Sequence, residues 1–276
     1  MAEIGFVGLG RMGFQMARHL NDAGHRVVGV DPVDDARSRA AEAGVEVSEH
    51  LSDLAGMSVV MSSLPNTEHV EEVYGSLIPM LGAGTVCADL STISVDGSGR
   101  VASMASDRRI AFCDAPVSGT SIHAEAGTLA IMLGGAESAV EVLRPLLATF
   151  STAVHHLGVN GAGLEMKLIT NRLLTTHLVA IGEAILAMED AGLDVEACIE
   201  LLRAGAVPRL LDYKAGPLAA RDFTPLFTVG LMSKDLRLAD ERRPAGRVTG
   251  EAAAVMLEAD AAGLGPHDIA AIMEII

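Results

Sequence analysis

The sequence contains no tryptophan, and only 3% of its 276 residues are aromatic. Because half of the residues are nevertheless apolar, the interior must be built from Ala, Val, Leu, Ile and Met. Small and branched aliphatic side chains of this kind favour closely packed helices over a β-sandwich. The composition therefore predicts a protein with a large helical part.

Positive charge is also scarce, since 20 basic residues face 36 acidic ones and the formal net charge is −16. A surface with that excess of negative charge repels the phosphate backbone of nucleic acids. The sequence therefore predicts no nucleic-acid partner.

The three cysteines, Cys87, Cys113 and Cys198, are far apart and lie in apolar stretches. An odd number of such residues indicates reduced thiols, and neither a disulfide framework nor a metal site is expected. The amino terminus lacks the apolar run of a signal peptide, and no uncharged stretch reaches the roughly 20 residues that span a bilayer. We therefore expect a cytoplasmic protein without a membrane partner.

Residues 1–160 alternate between short apolar runs and amphipathic segments, which predicts βαβ units and a doubly wound parallel sheet. The predicted helices are Met12–Ala23, Ala36–Ala43 and Val70–Met80. The predicted strands are Ile4–Val7, Val27–Val30, Val59–Met61, Val86–Ala88, Ile110–Cys113 and Ala130–Leu133.

Residues 161–276 contain no further strand pattern, and we expect an all-α second domain that begins with one long interdomain helix over Gly161–Ala191. Candidate helix starts carry Asp194, Ser233 or Pro266, and Gly192 and Gly263 lie where helices would stop. The further predicted helices are Val195–Ala204, Val229–Glu241, Thr249–Ala262 and Pro266–Ile275.

A glycine-rich loop, Gly8-Leu9-Gly10-Arg11-Met12-Gly13, follows the first predicted strand and opens the first helix. In this context the motif is typical of the Rossmann dinucleotide-binding fold, where the helix start faces a pyrophosphate. Asp31 ends the second strand, where a carboxylate binds an adenosine ribose and repels a 2′-phosphate. We therefore predict NAD as cofactor, with NADP as the alternative because Arg37 and Arg39 follow; for these arginines we favour an ordinary solvated helix face.

Several segments, taken in order, together resemble the β-hydroxyacid dehydrogenase family, which includes 3-hydroxyisobutyrate dehydrogenase. The carboxyl-terminal half of the chain also resembles the carboxyl-terminal domain of 6-phosphogluconate dehydrogenase. The resemblance covers residues 4 to about 239. It rests on Gly5–Gly13, Leu64-Pro65-Asn66, Leu90-Ser91-Thr92-Ile93, Asp114–Gly119, Gly161-Ala162-Gly163 with Lys167 and Asn171, and Lys234-Asp235-Leu236.

The resemblance implies reversible hydride transfer between a nicotinamide cofactor and a small β-hydroxyacid or its semialdehyde. It implies that Lys167 is the general acid/base, that Asn171 steadies the substrate, and that Ser118 and Gly119 hold its carboxylate. The loop Leu64-Pro65-Asn66 is expected to line the nicotinamide side of the cofactor, with Asn66 bonded to a ribose. Thr92 is expected to hydrogen-bond near the substrate hydroxyl or the nicotinamide amide. Lys234 is expected to approach the nicotinamide end.

The residues themselves are compatible with these roles. Lys167 and Asn171 are four positions apart and therefore project from one face of a helix. The alternative for Lys167 is an ordinary surface lysine. Ser118 is otherwise a loop serine that caps a turn, Thr92 part of a strand-end turn, and Asn66 part of a Pro-Asn turn.

The loop after Gly119 departs from the family pattern, which usually continues with a second glycine and a later Gly-Ala pair. Here Thr120 and His123 add side chains to a loop that should contact the substrate. His123 is either a proton relay or reader of a second polar group, or a loop histidine that faces water.

The leading hypothesis is thus an NAD-dependent dehydrogenase acting on a small hydroxyacid or semialdehyde. The alternatives are an imine reductase on the same scaffold, whose members generally lack a lysine at position 167, and a non-catalytic NAD-sensing module. Apolar residues on many faces of the second half predict a homodimer or homotetramer.

Overall fold

The computed structural model describes residues 1–204 and 210–276 of the chain. It divides into two compact units, Met1–Lys167 and Leu168–Ile276. The division falls inside the long helix of the second half, seven residues beyond the change of pattern that the sequence shows near residue 160.

The first unit is built around one sheet of nine strands. The strand order is β3-β2-β1-β4-β5-β6-β8-β7, and β9 pairs with β8. The strands are β1 (Glu3–Val7), β2 (Arg26–Val30), β3 (Glu46–Ser48), β4 (Val59–Ser62), β5 (Val86–Asp89), β6 (Ala111–Asp114), β7 (Val117–Ser118), β8 (Leu129–Gly134) and β9 (Ser151–Gly158).

The first six strands are parallel, in the arrangement of a Rossmann fold, as predicted. The segment predicted as Ala130–Leu133 is β8, which pairs antiparallel with β6. The sequence did not predict β3, β7 or β9. The short β3 and β7 carry few apolar residues, and β9 alternates exposed with half-buried positions. None of the three therefore gives the apolar run of a buried parallel strand.

Helices cover both faces of this sheet, so that the central strands contribute to two cores. Alternate strand positions point to opposite faces: Ile4, Phe6 and Met61 lie in one buried cluster, and Val7 and Val60 in the other. The helices of the first unit are α1 (Gly13–Asp22), α2 (Asp34–Glu42), α3 (Thr67–Leu77), α4 (Val95–Ser106), α5 (Ser121–Glu125) and α6 (Glu137–Leu147).

The second unit is helical in its described residues. Its helices are α7 (Ala162–Asp190), which begins in the first unit, α8 (Val195–Arg203), α9 (Leu210–Ala220), α10 (Val229–Arg242) and α11 (Arg247–Ala259), followed by a 3-10 helix over Ile269–Glu274. The long helix predicted over Gly161–Ala191 is therefore confirmed. None of the described helices is long and apolar enough to cross a membrane.

Two of the three predicted helix starts in this half are wrong. Asp194 does begin a helix, because its side chain accepts a hydrogen bond from the backbone N–H of Ala197. Ser233, however, lies fully buried inside α10, whose first turn is capped by Thr228. Pro266 precedes no α-helix, because the chain forms a 3-10 helix that starts only after the capping residue Asp268.

A buried ion pair stands beside the apolar core of the second unit. Lys214 on α9 donates to Asp268, and each side chain is only 2% exposed. Asp268 also accepts hydrogen bonds from the backbone N–H groups of Leu226 at 3.0 Å and Ala270 at 3.0 Å. These contacts connect α9, the loop before α10 and the carboxyl-terminal 3-10 helix.

Candidate active site

The glycine-rich loop between β1 and α1 has the geometry that its sequence predicts. Gly8 has φ 91°, and a Cβ there would lie 2.3 Å from the carbonyl oxygen of Ser63. A Cβ on Gly13 would lie 1.9 Å from the carbonyl oxygen of Gly8. Gly8 therefore provides a turn that other residues rarely adopt, and Gly13 lets α1 pack against the loop.

Gly10 differs from the other two glycines, because a Cβ on it would meet no atom of the described chain within 4 Å. The backbone here is exposed beside the exposed Arg11, and Met12, the N-cap of α1, contributes no side-chain hydrogen bond. Open backbone at a helix start that no side chain caps fits the pyrophosphate of a dinucleotide.

Asp31 lies at the end of β2 and is 8% exposed. Its Oδ2 accepts a hydrogen bond from the backbone N–H of Leu9 at 2.7 Å, and Oδ1 accepts from Val33 at 2.8 Å. The carboxylate is thereby fixed beside the glycine loop, where the ribose of a dinucleotide lies in this fold.

The two arginines after Asp31 are occupied by protein groups. Arg37 donates to the carbonyl oxygen of Asp31 at 2.6 Å and pairs with Asp34. Arg39 donates to the carbonyl oxygen of Leu9 at 2.8 Å and stacks over the ring of Phe14. The expectation of a solvated helix face is wrong for Arg37, whose side chain is 15% exposed, because it folds back onto the end of β2.

The segment Leu64-Pro65-Asn66 follows β4, as the motif predicts. The backbone N–H of Leu64 donates to the hydroxyl of Ser91 at 2.8 Å. Asn66 is the N-cap of α3, and its Oδ1 accepts from the backbone N–H of His69 at 3.0 Å. The Asn66 side chain therefore has a structural contact through its oxygen, while Pro65 is exposed at the loop surface.

A buried carboxylate that sequence reasoning missed supports this loop. Asp89 ends β5, is 1% exposed, and accepts hydrogen bonds from the hydroxyls of Ser62 at 2.7 Å and Ser91 at 2.6 Å. Burial raises the pKa of Asp89 to about 6, although these hydrogen bonds act in the opposite direction. Through Ser91 the carboxylate holds both the Leu64 loop and the turn that carries the half-buried Thr92.

Ser118 and Gly119 stand where the sheet meets the short helix α5. Ser118 is half-buried at the end of β7 and pairs with Ala130 of β8. Gly119 has φ 131°, and a Cβ on it would lie 2.9 Å from Cβ of His123. The exposed Gly119 backbone after a half-buried hydroxyl is an arrangement that can bind a carboxylate.

Thr120 and His123 form a local contact with each other. Thr120 is the N-cap of α5, and the Nδ1 atom of His123 lies 3.2 Å from the Thr120 backbone nitrogen and 3.1 Å from its hydroxyl. The interpretation of His123 as a loop histidine that faces water is therefore wrong, because the half-buried imidazole turns back onto Thr120 in a capping box.

The helix that carries the lysine begins on a second buried carboxylate. Asp114 ends β6, is 1% exposed, and accepts hydrogen bonds from the backbone N–H groups of Gly161 at 2.6 Å and Leu164 at 2.8 Å. Burial raises the pKa of Asp114 to about 6, against the effect of these backbone hydrogen bonds. The sequence shows Asp114 only as part of a motif and gives no sign of this contact.

Lys167 and Asn171 both lie on α7, one turn apart, and both are buried, with 9% and 2% exposure. Asn171 donates from Nδ2 to Oδ2 of Asp235 on α10 at 2.6 Å. Lys234 Nζ lies 3.1 Å from the other oxygen of Asp235. Asp235 therefore orients the amide of Asn171.

The polar groups of these loops suit an organic substrate and cofactor. Among residues 1–204 and 210–276 no group of three or more His, Cys, Asp or Glu side chains is placed to hold a metal ion.

Comparison with known proteins assigns both halves of the chain. Residues 3–158 match the family model described as the NAD-binding domain of 6-phosphogluconate dehydrogenase. Residues 161–276 match the model described as the NAD-binding domain of NADP-dependent 3-hydroxyisobutyrate dehydrogenase. The chain therefore contains an NAD(P)-binding Rossmann domain and a helical domain of the kind found in that enzyme.

Curated relatives match almost the whole chain. It is 32% identical to 2-(hydroxymethyl)glutarate dehydrogenase of Eubacterium barkeri, over 99% of this chain and 94% of the relative. It is 35% identical to NAD-dependent L-serine dehydrogenase of Pseudomonas aeruginosa, over 87% of this chain and 85% of the relative.

A solved structure shares the complete fold. 3-Hydroxyisobutyrate dehydrogenase of Mycobacterium tuberculosis, solved with L-serine, is 33% identical and superposes with a TM-score of 0.91 over 100% of this chain and 99% of that one. With the glycine loop, the Lys167 segment and these matches in place, the chain belongs to the β-hydroxyacid dehydrogenase family and is an NAD(P)-binding oxidoreductase.

Proposed function

We propose that the protein catalyses the reversible oxidation of a small β-hydroxyacid to its semialdehyde, with Lys167 as general acid/base. The observation that carries the proposal is the pair on α7: a buried lysine one turn before a buried asparagine whose amide is fixed by Asp235. Buried lysines are uncommon in proteins unless they are paired or functional.

In the oxidative direction the neutral amine of Lys167 accepts the proton of the substrate hydroxyl while hydride leaves the adjacent carbon. In the reductive direction its ammonium returns a proton to the developing alkoxide. The nicotinamide ring, when bound, supplies the hydride acceptor or donor. Lys234, 3.1 Å from Asp235, brings a second positive charge to the Asn171 contact.

The remaining residues bind and orient. Ser118 offers a hydroxyl, and Gly119 a backbone without a side chain, to the substrate carboxylate. Asn171 keeps its carbonyl oxygen for the substrate because its NH2 group faces Asp235. The residues that would hold the cofactor are Gly8, Leu9, Gly10, Arg11, Met12, Gly13 and Asp31, and Leu64, Pro65, Asn66 and Thr92 would face its nicotinamide side.

The substrate class follows from what the names of the relatives have in common. 2-(Hydroxymethyl)glutarate, L-serine and 3-hydroxyisobutyrate each carry a primary alcohol on the carbon attached to the α-carbon of a carboxylate. They differ in the third group on that α-carbon, which is a carboxyethyl, an ammonium or a methyl group. We infer a substrate of this pattern, with the alcohol within reach of Lys167 and the carboxylate at Ser118.

The test is a panel of these three acids and 3-hydroxypropionate, assayed with NAD and with NADP at alkaline pH. Turnover of at least one acid, with preference set by the third group, supports the proposal. Cofactor binding without turnover of any acid would instead indicate an NAD-sensing module. Faster reduction of a cyclic imine than of any semialdehyde would indicate an imine reductase.

We further propose that NAD is preferred over NADP. The fixed carboxylate of Asp31 repels a 2′-phosphate, and Arg37 and Arg39 are engaged by protein oxygens. The test is to measure the dissociation constants of NAD and NADP for the wild type and for Asp31→Ala. The substitution should weaken NAD binding and bring the two dissociation constants closer together. Tighter binding of NADP by the wild type would contradict the preference.

A homo-oligomer is proposed from the second unit. A groove of about 730 Å³ runs between α7 and α11 and is lined by Val179, Ala180, Ala252 and Val255. Val248 beside it is 71% exposed. Glu183, Glu251 and Arg247 on its walls bring both signs of charge, which allows ion pairs between two copies of this surface. Light scattering should give a dimer or tetramer, and a monomer at micromolar concentration would refute this.

A further inference from the structure

Asp114 accepts three hydrogen bonds at the start of α7. Its Oδ1 accepts from the backbone N–H of Gly161 at 2.6 Å and from Nδ2 of Asn160 at 3.3 Å, and its Oδ2 accepts from the backbone N–H of Leu164 at 2.8 Å. The first N–H groups of a helix have no partner inside the helix, so one carboxylate here satisfies several of them at once.

Two glycines make this approach close. A Cβ on Gly134 of β8 would lie 2.4 Å from Oδ1 of Asp114, and a Cβ on Gly163 would lie 2.9 Å from Oδ2. The same Cβ on Gly163 would stand 2.1 Å from the carbonyl oxygen of Met132. The first turn of α7 therefore packs against the sheet without room for a side chain, and its rotation about the helix axis is fixed.

Lys167 lies three residues after Leu164, in the next turn of the same helix. A lysine ammonium stands several ångströms from the helix axis, so a rotation of about 10° displaces it by about 1 Å. Displacement of a catalytic group by that much can reduce a rate about 100-fold. The contact that sets the helix rotation therefore controls the position of the ammonium.

We propose that Asp114 is a positioning residue for Lys167: its carboxylate sets the rotation and axial position of the first turn of α7 and so aims the lysine. This inference rests on the proposed function of Lys167 as acid/base. Asp114 itself touches neither substrate nor cofactor in this proposal.

The test uses Asp114→Asn, which keeps the shape of the side chain but places an NH2 group against a backbone N–H. We expect kcat per NAD-binding site to fall 10- to 100-fold, with the KM of the acid and the Kd of NAD within threefold of wild type. Unchanged kcat would overturn the proposal.

The matched control is Asp89→Asn. Asp89 is the register partner of Asp114 on the adjacent strand and is equally buried, but its contacts go to Ser62 and Ser91 instead of α7. Asp89→Asn should weaken the binding of NAD, because Asp89 holds the Leu64 loop through Ser91. Equal losses of kcat in the two variants would show a general effect of removing a buried carboxylate and would overturn the proposal.

A second readout follows Lys167 directly. The chain contains only three lysines, Lys167, Lys214 and Lys234. Protein labelled with lysine that carries 13C at the ε-carbon therefore gives three NMR signals, assigned by Lys→Arg variants. Asp114→Asn should shift the Lys167 signal and its titration and leave the Lys214 signal in place, whereas Asp89→Asn should leave both. An unmoved Lys167 signal in Asp114→Asn contradicts the proposal.

A milder variant applies if Asp114→Asn does not fold. Asn160→Ala leaves the carboxylate and removes one of its hydrogen-bond donors. We therefore expect the Lys167 signal to move in the same direction as in Asp114→Asn, but by less. Absence of movement overturns the proposal.

Lys167→Ala separates the positioning role of Asp114 from the acid/base role of Lys167. If that variant remains active, the assignment of the acid/base fails; if it is inactive and Asp114→Asn behaves as wild type, only the positioning role fails.

Discussion

The two units stabilise buried carboxylates in different ways. In the first unit Asp89 and Asp114 lie at the ends of neighbouring strands and accept hydrogen bonds from hydroxyls and backbone N–H groups. In the second unit Asp268 pairs with the buried Lys214, and Asp235 lies between Asn171 and Lys234. The first arrangement uses neutral donors alone, while the second adds a lysine side chain beside each carboxylate.

This difference has physical consequences. A carboxylate held by neutral donors has lost its hydration without gaining a cation, and burial therefore raises the pKa of both Asp89 and Asp114 to about 6. A carboxylate paired with a buried cation relies on that cation for charge compensation, and removal of the cation leaves an uncompensated charge even where backbone N–H groups still donate to it. The free energy of unfolding of the first unit should therefore depend on pH, whereas that of the second unit should depend on the single lysine that pairs with Asp268.

The largest expected effect is on the second unit. Lys214→Met leaves Asp268 as a buried charge without its cation and should lower the free energy of unfolding by about 3–5 kcal/mol. Urea unfolding followed by circular dichroism measures this. The control is Arg237→Ala, which removes an ion pair to Asp260 whose arginine is 57% exposed and should cost at most about 1 kcal/mol. Equal effects of the two substitutions would contradict the contrast.

The next effect concerns the glycine loop, where one substitution separates the space needed by a bound dinucleotide from packing within the protein. Gly10→Ala meets no protein atom within 4 Å in the described chain, so the free energy of unfolding should change by less than about 0.5 kcal/mol. The methyl group should nevertheless occupy the space of the pyrophosphate and weaken NAD binding at least about tenfold. Calorimetry measures both quantities.

Gly99→Ala serves as control for Gly10→Ala, because Gly99 is an exposed position on α4 with equal space and no expected cofactor contact. Its affinity for NAD should match that of the wild type. Wild-type affinity in Gly10→Ala would show that the loop does not hold the dinucleotide as proposed.

Taken per pH unit, the smallest effect is a pH dependence in the first unit. The pKa of Asp89 is about 6 in the folded protein, against an ordinary value of 3.8. Between these two pH values the folded state therefore binds more protons than the unfolded state. The stability contributed by this group is fully present below about pH 4 and is lost as pH rises through about 6. Relative to Asp89→Asn, the free energy of unfolding of the wild type should fall by up to about 1.4 kcal/mol per pH unit as the pH rises across that interval.

Urea midpoints at constant ionic strength between pH 4 and 7.5 measure this difference. Parallel curves for wild type and Asp89→Asn would show that the carboxyl titrates as an exposed one does.

Much of the first unit could be predicted because its signals are local. Parallel strands buried on both faces give continuous apolar runs, and two of the three loop glycines, Gly8 and Gly13, are each required by a close contact within the chain. The long helix α7 was predicted from its apolar spacing alone. The positions of Lys167 and Asn171 on one helix follow directly from that assignment.

The contacts that organise the site could not be predicted in the same way. Asp114 is separated by 47 residues from Gly161, and Asn171 by 64 from Asp235, so their hydrogen bonds depend on how distant elements pack. A buried lysine such as Lys214 has the sequence appearance of an exposed one. For Asp89 and Asp114 a signal did exist, since each ends an apolar strand and the two strands are neighbours.

The central claim is that Lys167 transfers the proton, and chemical rescue tests it most directly. With NAD saturating and an accepted hydroxyacid as substrate, Lys167→Ala should be slower by about 10²–10⁴-fold. Added small primary amines should restore part of the rate, in proportion to the concentration of their neutral form. A Lys167→Ala variant that oxidises the acid within tenfold of the wild-type rate, with no response to amines, would contradict the account.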